Sequence, residues 1–141
     1  MARAIIQSPA DIKQHRRAGA LAAETLNMVE EHLRPGLTTN EINTLVHEYT
    51  LKHNAIPAPL NYKGFPKSTC TSVNEVVCHG IPNDTPLVDG DIVNVDITSI
   101  LPSRNGFYGD TSRTFIIGEG SPSAQHIVNV ARNSLEIGLR Q

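Results

Sequence analysis

Polar and apolar residues alternate most regularly between Asp91 and Ser99. Ile92, Asn94, Asp96 and Thr98 fall on one face and Val93, Val95 and Ile97 on the other, which predicts a β-strand. Pro102, Asn105 and Gly106 interrupt the pattern, and Phe107–Ile117 reads as a second strand folding back. A hairpin centred near Ser103 sets Asp96 directly opposite Asp110. Upstream, Ser8-Pro9-Ala10-Asp11 combines a hydroxyl cap, a proline at the first helical position and an acid in the first turn. Ile12, Gly19, Ala22, Leu26, Val29 and Leu33 then recur at helical spacing up to Pro35-Gly36, and the small residues in mid-stripe predict close approach to a neighbouring element. Thr38-Thr39-Asn40-Glu41 is a capping box opening a second helix, with Ile42, Leu45, Val46 and Tyr49 on its apolar face, that fades near Asn54. Ala55–Lys67 is irregular and rich in Pro and Gly, and Thr69–Cys78 reads as a strand pair kinked near Asn74-Glu75. Beyond Gly118 and Gly120, Ser121-Pro122 starts a third helix whose buried face is expected to carry Ile127, Val128, Ala131 and Leu135. Helix, helix, strands, helix with antiparallel hairpins is an α+β arrangement.

Length and charge narrow the function classes. A chain of 141 residues has the size of a single domain. Its net charge of −2 gives no electrostatic basis for nucleic-acid binding. The short basic clusters Lys13–Arg17 and Arg132–Arg140 read as solvated helix faces. The N-terminus MARAIIQSPADIK lacks an apolar signal core, and no stretch approaches the length of a membrane span, so a cytoplasmic protein is expected. Cys70 and Cys78 are read as reduced thiols on the same grounds.

The candidate chemistry lies in the hairpin. Aspartate is depleted in strands, and like charges facing each other across a ladder are destabilising, so Asp96 and Asp110 call for a cation between them. Carboxylates are hard oxygen ligands, and a divalent ion held by them can activate water and polarise a carbonyl. His79, before Gly80, adds an imidazole that could hold a substrate or stabilise developing charge. Two carboxylates alone are fewer ligands than a catalytic site uses. The competing explanation is structural: Asp96 pairs with Arg113 or Lys67, and His79 is a hydrogen-bonded core histidine. His47-Glu48 does not begin a zinc-protease HExxH, because position 51 is Leu51, and no GxSxG, phosphate-binding loop or dinucleotide motif is present. Tyr62 and Phe65 in the Pro/Gly-rich loop could form a pocket wall or simply pack the loop.

Several blocks resemble type I methionine aminopeptidase: Pro59-Leu60-Asn61-Tyr62, Phe65-Pro66-Lys67-Ser68, CTSVNEVVCHGIP (Cys70–Pro82), GDIVNVDIT (Gly90–Thr98) and FYGDTSRTF (Phe107–Phe115). The likeness runs from the Ser8 cap onward. It implies the pita-bread (creatinase/aminopeptidase-like) fold, in which two pseudo-symmetric α/β halves surround a dinuclear metal centre. Residues 1–141 are then expected to be a single incomplete domain, the N-terminal half. The family removes the initiator methionine of nascent proteins when the second residue is small. The resemblance makes Asp96 and Asp110 metal ligands and His79 the catalytic histidine that contacts the substrate. It assigns Tyr62, Phe65 and Cys70 to the methionine pocket, which suits an unbranched thioether. It further implies two divalent ions per complete site (Co, Mn, Fe or Zn) and nascent polypeptide N-termini as partners. Association with the ribosome and a monomeric full-length protein are expected as well, with no nucleic acid and no membrane.

Three departures from the family pattern stand out. No residue after Asp110 fits the family's later His and two Glu ligands, so the isolated chain is expected to be inactive. The hairpin is about three residues longer than usual, with Ile100–Ser103 expected to bulge outward. Tyr108 stands where many relatives have His. The rival from another class is a non-catalytic peptide- or protein-binding module of the same fold; the proline-specific branch is disfavoured by the NEVVCHG wording. An apolar face is expected wherever a second half would dock.

Overall fold

Both N-terminal helices begin where their capping residues place them. The computed structural model describes residues 7–141, so the reading of Met1–Ile6 lies outside the described residues. Helix α1 spans Pro9–Glu30 and α2 spans Thr39–Lys52. Ser8 Oγ accepts from the Asp11 N–H at 3.2 Å while the Asp11 carboxylate accepts from the Ser8 N–H at 3.0 Å. Thr38 and Glu41 repeat the exchange at 3.1 and 2.8 Å. These bonds hold both carboxyls below their usual range: Asp11 first through the Ser8 hydroxyl, Glu41 first through the Thr38 N–H. Helix α1 ends at Glu30, before the expected Pro35, so Leu33 lies outside it. Ile12 is exposed, and the buried stripe is Ala18, Leu21, Ala22, Thr25, Leu26 and Val29.

The sheet is antiparallel throughout. Strand β1 is Ile56–Pro57, β2 is Cys70–Val73, β3 is Ile92–Leu101 and β4 is Phe107–Ile116. β3 is central: β4 lines one edge over ten residue pairs, while β2 and β1 share the other edge in succession. Val93, Val95 and Ile97 point into a core completed by Leu26, Ile42, Val46 and Phe115. Helix α1 lies on this face in the close contact its small residues foretell. A Cβ on Gly109 of β4 would overlap the backbone of Ala18, so only glycine fits there.

Three expectations are corrected. The Thr69–Cys78 strand pair is one short strand, β2; Asn74 (φ +51°) turns the chain, and the return segment is tied back at Gly80, whose carbonyl accepts from the Thr71 N–H at 2.9 Å. Ile100 and Leu101 do not bulge but lengthen the ladder, pairing with Tyr108 and Phe107. Helix α3, Pro122–Gly138, is capped by Ser121 as expected, yet none of its residues is buried, and Leu135 is 65% exposed. An apolar stripe specifies which face of a helix will be covered, not that this chain supplies the cover. Among the described residues, no helix is long and apolar enough to cross a membrane.

Candidate functional site

Alternation along the hairpin sends one set of side chains to the core and the other to the opposite face. Asp96 and Thr98 on β3 share that second face with Tyr108, Asp110 and Ser112 on β4. Here the expected register is corrected. Asp96 pairs with Ser112 and Asp110 with Thr98, so the two acids are diagonal neighbours rather than directly opposed. The hairpin pivots about residue 104, one further along than expected. The turn tightens at Asn105 (φ +52°) and at Gly106, where a Cβ would overlap the Pro102 carbonyl oxygen. Because the partner shifts by two residues, both acids stay on the same face.

The diagonal still brings the carboxyls together. Burial raises the Asp96 pKa above the usual carboxylate range, the neighbouring Asp110 charge raises it further, and His79 partly offsets both. The structural explanation for Asp96 fails. Arg113 is committed to Glu30 Oε2 at 2.7 Å and Asn27 Oδ1 at 3.0 Å, and Lys67 Nζ to Asn40 Oδ1 at 2.5 Å. Nor is His79 a core histidine: it is exposed, with φ +53°. Gly80 positions it. A Cβ at Gly80 would overlap the Thr71 carbonyl, and the Gly80 N–H donates to Ser72 Oγ at 3.2 Å, holding the segment against β2.

The Pro/Gly-rich loop forms a wall over this face. Asn61 (φ +65°) leads into a single 3-10 turn, Tyr62–Gly64, closed by the Phe65 N–H to the Tyr62 carbonyl at 2.9 Å. Wall and sheet enclose a cavity of about 910 Å³ lined by Tyr62, Phe65, Cys70, His79, Asp96 and Asp110 among others. Every site residue proposed from sequence thus borders one space. Burial, with the Asp96 and Asp110 charges nearby, pushes the Cys70 thiol up to about 11, so it is an apolar wall group and not a thiolate. Sequence reasoning missed Lys63 and Thr98, and gave Tyr108 no role. Thr98 could have been found from its place two residues beyond Asp96; Lys63 carries no periodic signal.

A divalent cation suits the donor set only in part. Two meeting carboxylates, one with a raised pKa, are hard oxygen donors short of positive charge. Among the described residues no group of three or more His, Cys, Asp or Glu is arranged to hold a metal. The pair can therefore be part of a ligand set, not all of it.

The chain is similar to the methionine aminopeptidase of Rickettsia prowazekii, 52% identical over 134 residues. That match covers 95% of this chain and 51% of the relative. The crystal structure of the Rickettsia protein superposes with a TM-score of 0.90 over 94% of this chain and 52% of that one. The methionine aminopeptidase of Escherichia coli K12 is 45% identical over 137 residues, covering 96% of this chain and 51% of the relative. Escherichia coli aminopeptidase P, at 26% identity, matches with a TM-score of 0.79 over 95% of this chain and 29% of that one. The chain spans about half the length of the methionine aminopeptidases it matches. The three helices and antiparallel sheet are the α+β N-terminal half of the pita-bread fold. The sequence pattern of metallopeptidase family M24 matches residues 13–141, and the chain belongs to that family.

Proposed function

We propose that this chain supplies half of the catalytic centre of a methionine aminopeptidase, which releases the N-terminal methionine of nascent polypeptides whose second residue is small. The observation that carries this reading is the single cavity in which Asp96, Asp110 and His79 lie beneath a wall of Tyr62, Phe65 and Cys70. In this reading Asp96 and Asp110 hold divalent ions, two in the complete site, with ligands from outside these residues. When bound, the metal polarises the scissile carbonyl and activates water. Phe65, Tyr62 and the neutral Cys70 thiol accept the methionine side chain, whose flexible thioether suits an irregular, partly aromatic wall. His79 lies close enough to influence Asp96, and its exposed imidazole can hold the peptide at the bond to be cut. The activity is proposed to be cytoplasmic, acting on chains emerging from the ribosome, with the full-length protein monomeric.

Two carboxylates bind metal weakly, so these 141 residues alone should hydrolyse Met-Ala-Ser negligibly. A chimaera in which this chain replaces the matching half of the Rickettsia relative should restore methionine release. Asp96→Asn or Asp110→Asn in the chimaera should abolish it. A folded, metal-loaded chimaera that releases no methionine, while still binding peptides, would favour a binding module over an enzyme.

A further inference from the structure

The strained backbone of the cavity wall points to a group the family resemblance did not. Six described residues other than glycine have positive φ, and four of them are asparagines, which tolerate the left-handed region. The other two are Lys63 (φ +49°) and His79 (φ +53°), and both line the cavity. Lysine lacks the short polar side chain that eases asparagine into this conformation, so the strain singles out its position on the wall.

Its surroundings say what it can do there. Lys63 Nζ lies 5.4 Å from the centroid of the Tyr62 ring, a cation–π contact that fixes it on the wall. Among the described residues it makes no salt bridge, whereas Arg113 is spent on Glu30 and Lys67 is bonded to Asn40. The other charged side chains lining the space are Asp96 and Asp110, on the sheet. The cavity therefore has on its floor the two carboxylates that the peptide reading gives to metal, and on its loop wall an ammonium left to meet an anionic group further along the ligand.

We propose that Lys63 is a specificity-determining residue that recognises a carboxylate on the peptide downstream of its first residue, while the amino end lies toward the ions held by Asp96 and Asp110. This rests on the peptide reading of the site given above. The carboxylate could be the C-terminus of a short peptide or an acidic side chain, and the two sources can be separated.

The test uses the 141-residue chain, ¹⁵N-labelled and supplied with Zn²⁺, titrated with Met-Ala-Ser, Met-Ala-Ser-amide and Met-Ala-Asp-amide. Shifts of the Cys70, Asp96 and Asp110 amide resonances report binding. A carboxylate-bearing peptide should bind about two- to fivefold more tightly than Met-Ala-Ser-amide, the range of an exposed ion pair. The preference should fall as salt rises from roughly 0.02 to 0.3 M. Preference for Met-Ala-Ser alone assigns Lys63 to the terminal carboxylate; preference for Met-Ala-Asp-amide assigns it to an acidic side chain. Lys63→Gln should remove the preference while leaving Met-Ala-Ser-amide binding unchanged. Lys63→Gly, better suited to positive φ, should raise the midpoint of thermal unfolding and also remove the preference. Equal binding of all three peptides, or a preference that survives either substitution, overturns the assignment of Lys63 alone. Failure of every peptide to shift these resonances overturns the Lys63 assignment, while methionine release by the chimaera decides the peptide reading of the site separately.

Discussion

Replacing Asp96 by Asn should stabilise the metal-free chain, the reverse of what removing a paired buried acid does. Asp96 is half-buried on β3, meets Asp110 across the diagonal, and among the described residues has no Lys or Arg partner. Its pKa is raised, first by burial and then by Asp110, so the folded chain carries its charge at a cost. Like charges on neighbouring strands cost roughly 0.2–1 kcal/mol. Asn keeps the shape, removes the repulsion and offers Asp110 a donor, so a gain of about 0.5–1 kcal/mol is expected. With an unfolding entropy near 2.1 cal/mol/K per residue, that corresponds to about 2–3 °C in Tm for a chain of this length. The pH dependence follows from the direction of the shift. A carboxyl whose folded pKa lies above its unfolded value is a liability at pH above the folded pKa. The liability disappears as pH falls through that value and Asp96 takes up its proton. The advantage of Asp96→Asn should therefore be full at neutral pH in EDTA and shrink once the wild-type acid is protonated. Zn²⁺ should then reverse the order by stabilising wild type and not the variant. Circular dichroism melts at two pH values, with EDTA or Zn²⁺, decide the matter. A variant that melts lower than wild type in EDTA at neutral pH would show that Asp96 has a stabilising partner, and the cation argument would fail.

Other consequences are more local. Gly109→Ala forces a Cβ into the Ala18 backbone and should cost about 3 kcal/mol, read as a shifted urea midpoint, because neither helix nor strand can yield cheaply. Thr38→Ala should cost about 1 kcal/mol of stability at neutral pH. Since Glu41 is held below its usual range by Thr38, the stability this acid adds is present above that range and lost as pH falls through its folded pKa. The wild-type advantage should thus narrow in acid, as urea titrations at successive pH values would show. Native alkylation with iodoacetamide should add one group, at the exposed Cys78, and denaturation should admit a second at Cys70; intact mass with and without Cys78→Ser distinguishes the two.

Wherever the signal is local, the sequence sufficed. The caps at Ser8, Thr38 and Ser121 needed only a hydroxyl and, for two of them, an acid three residues on, because the bonds they make stay within one turn. The alternation around Val93–Ile97 determined which face of β3 is core, and with it that Asp96 and Asp110 share the other. The family blocks located the pocket residues by likeness, not by physics. Tertiary structure decided what depends on distant partners. The hairpin register turned on the geometry at Asn105 and Gly106, which moved Asp110 from opposite Asp96 to its diagonal. The return segment after β2 became a tether instead of a strand because only its Gly80 end is held against β2. The third helix kept its apolar stripe without a cover, since periodicity records a preference for burial and not the surface that satisfies it. Lys63 was invisible from the chain alone: a single cation in a loop has no period, and only the backbone angle and the cavity it borders set it apart.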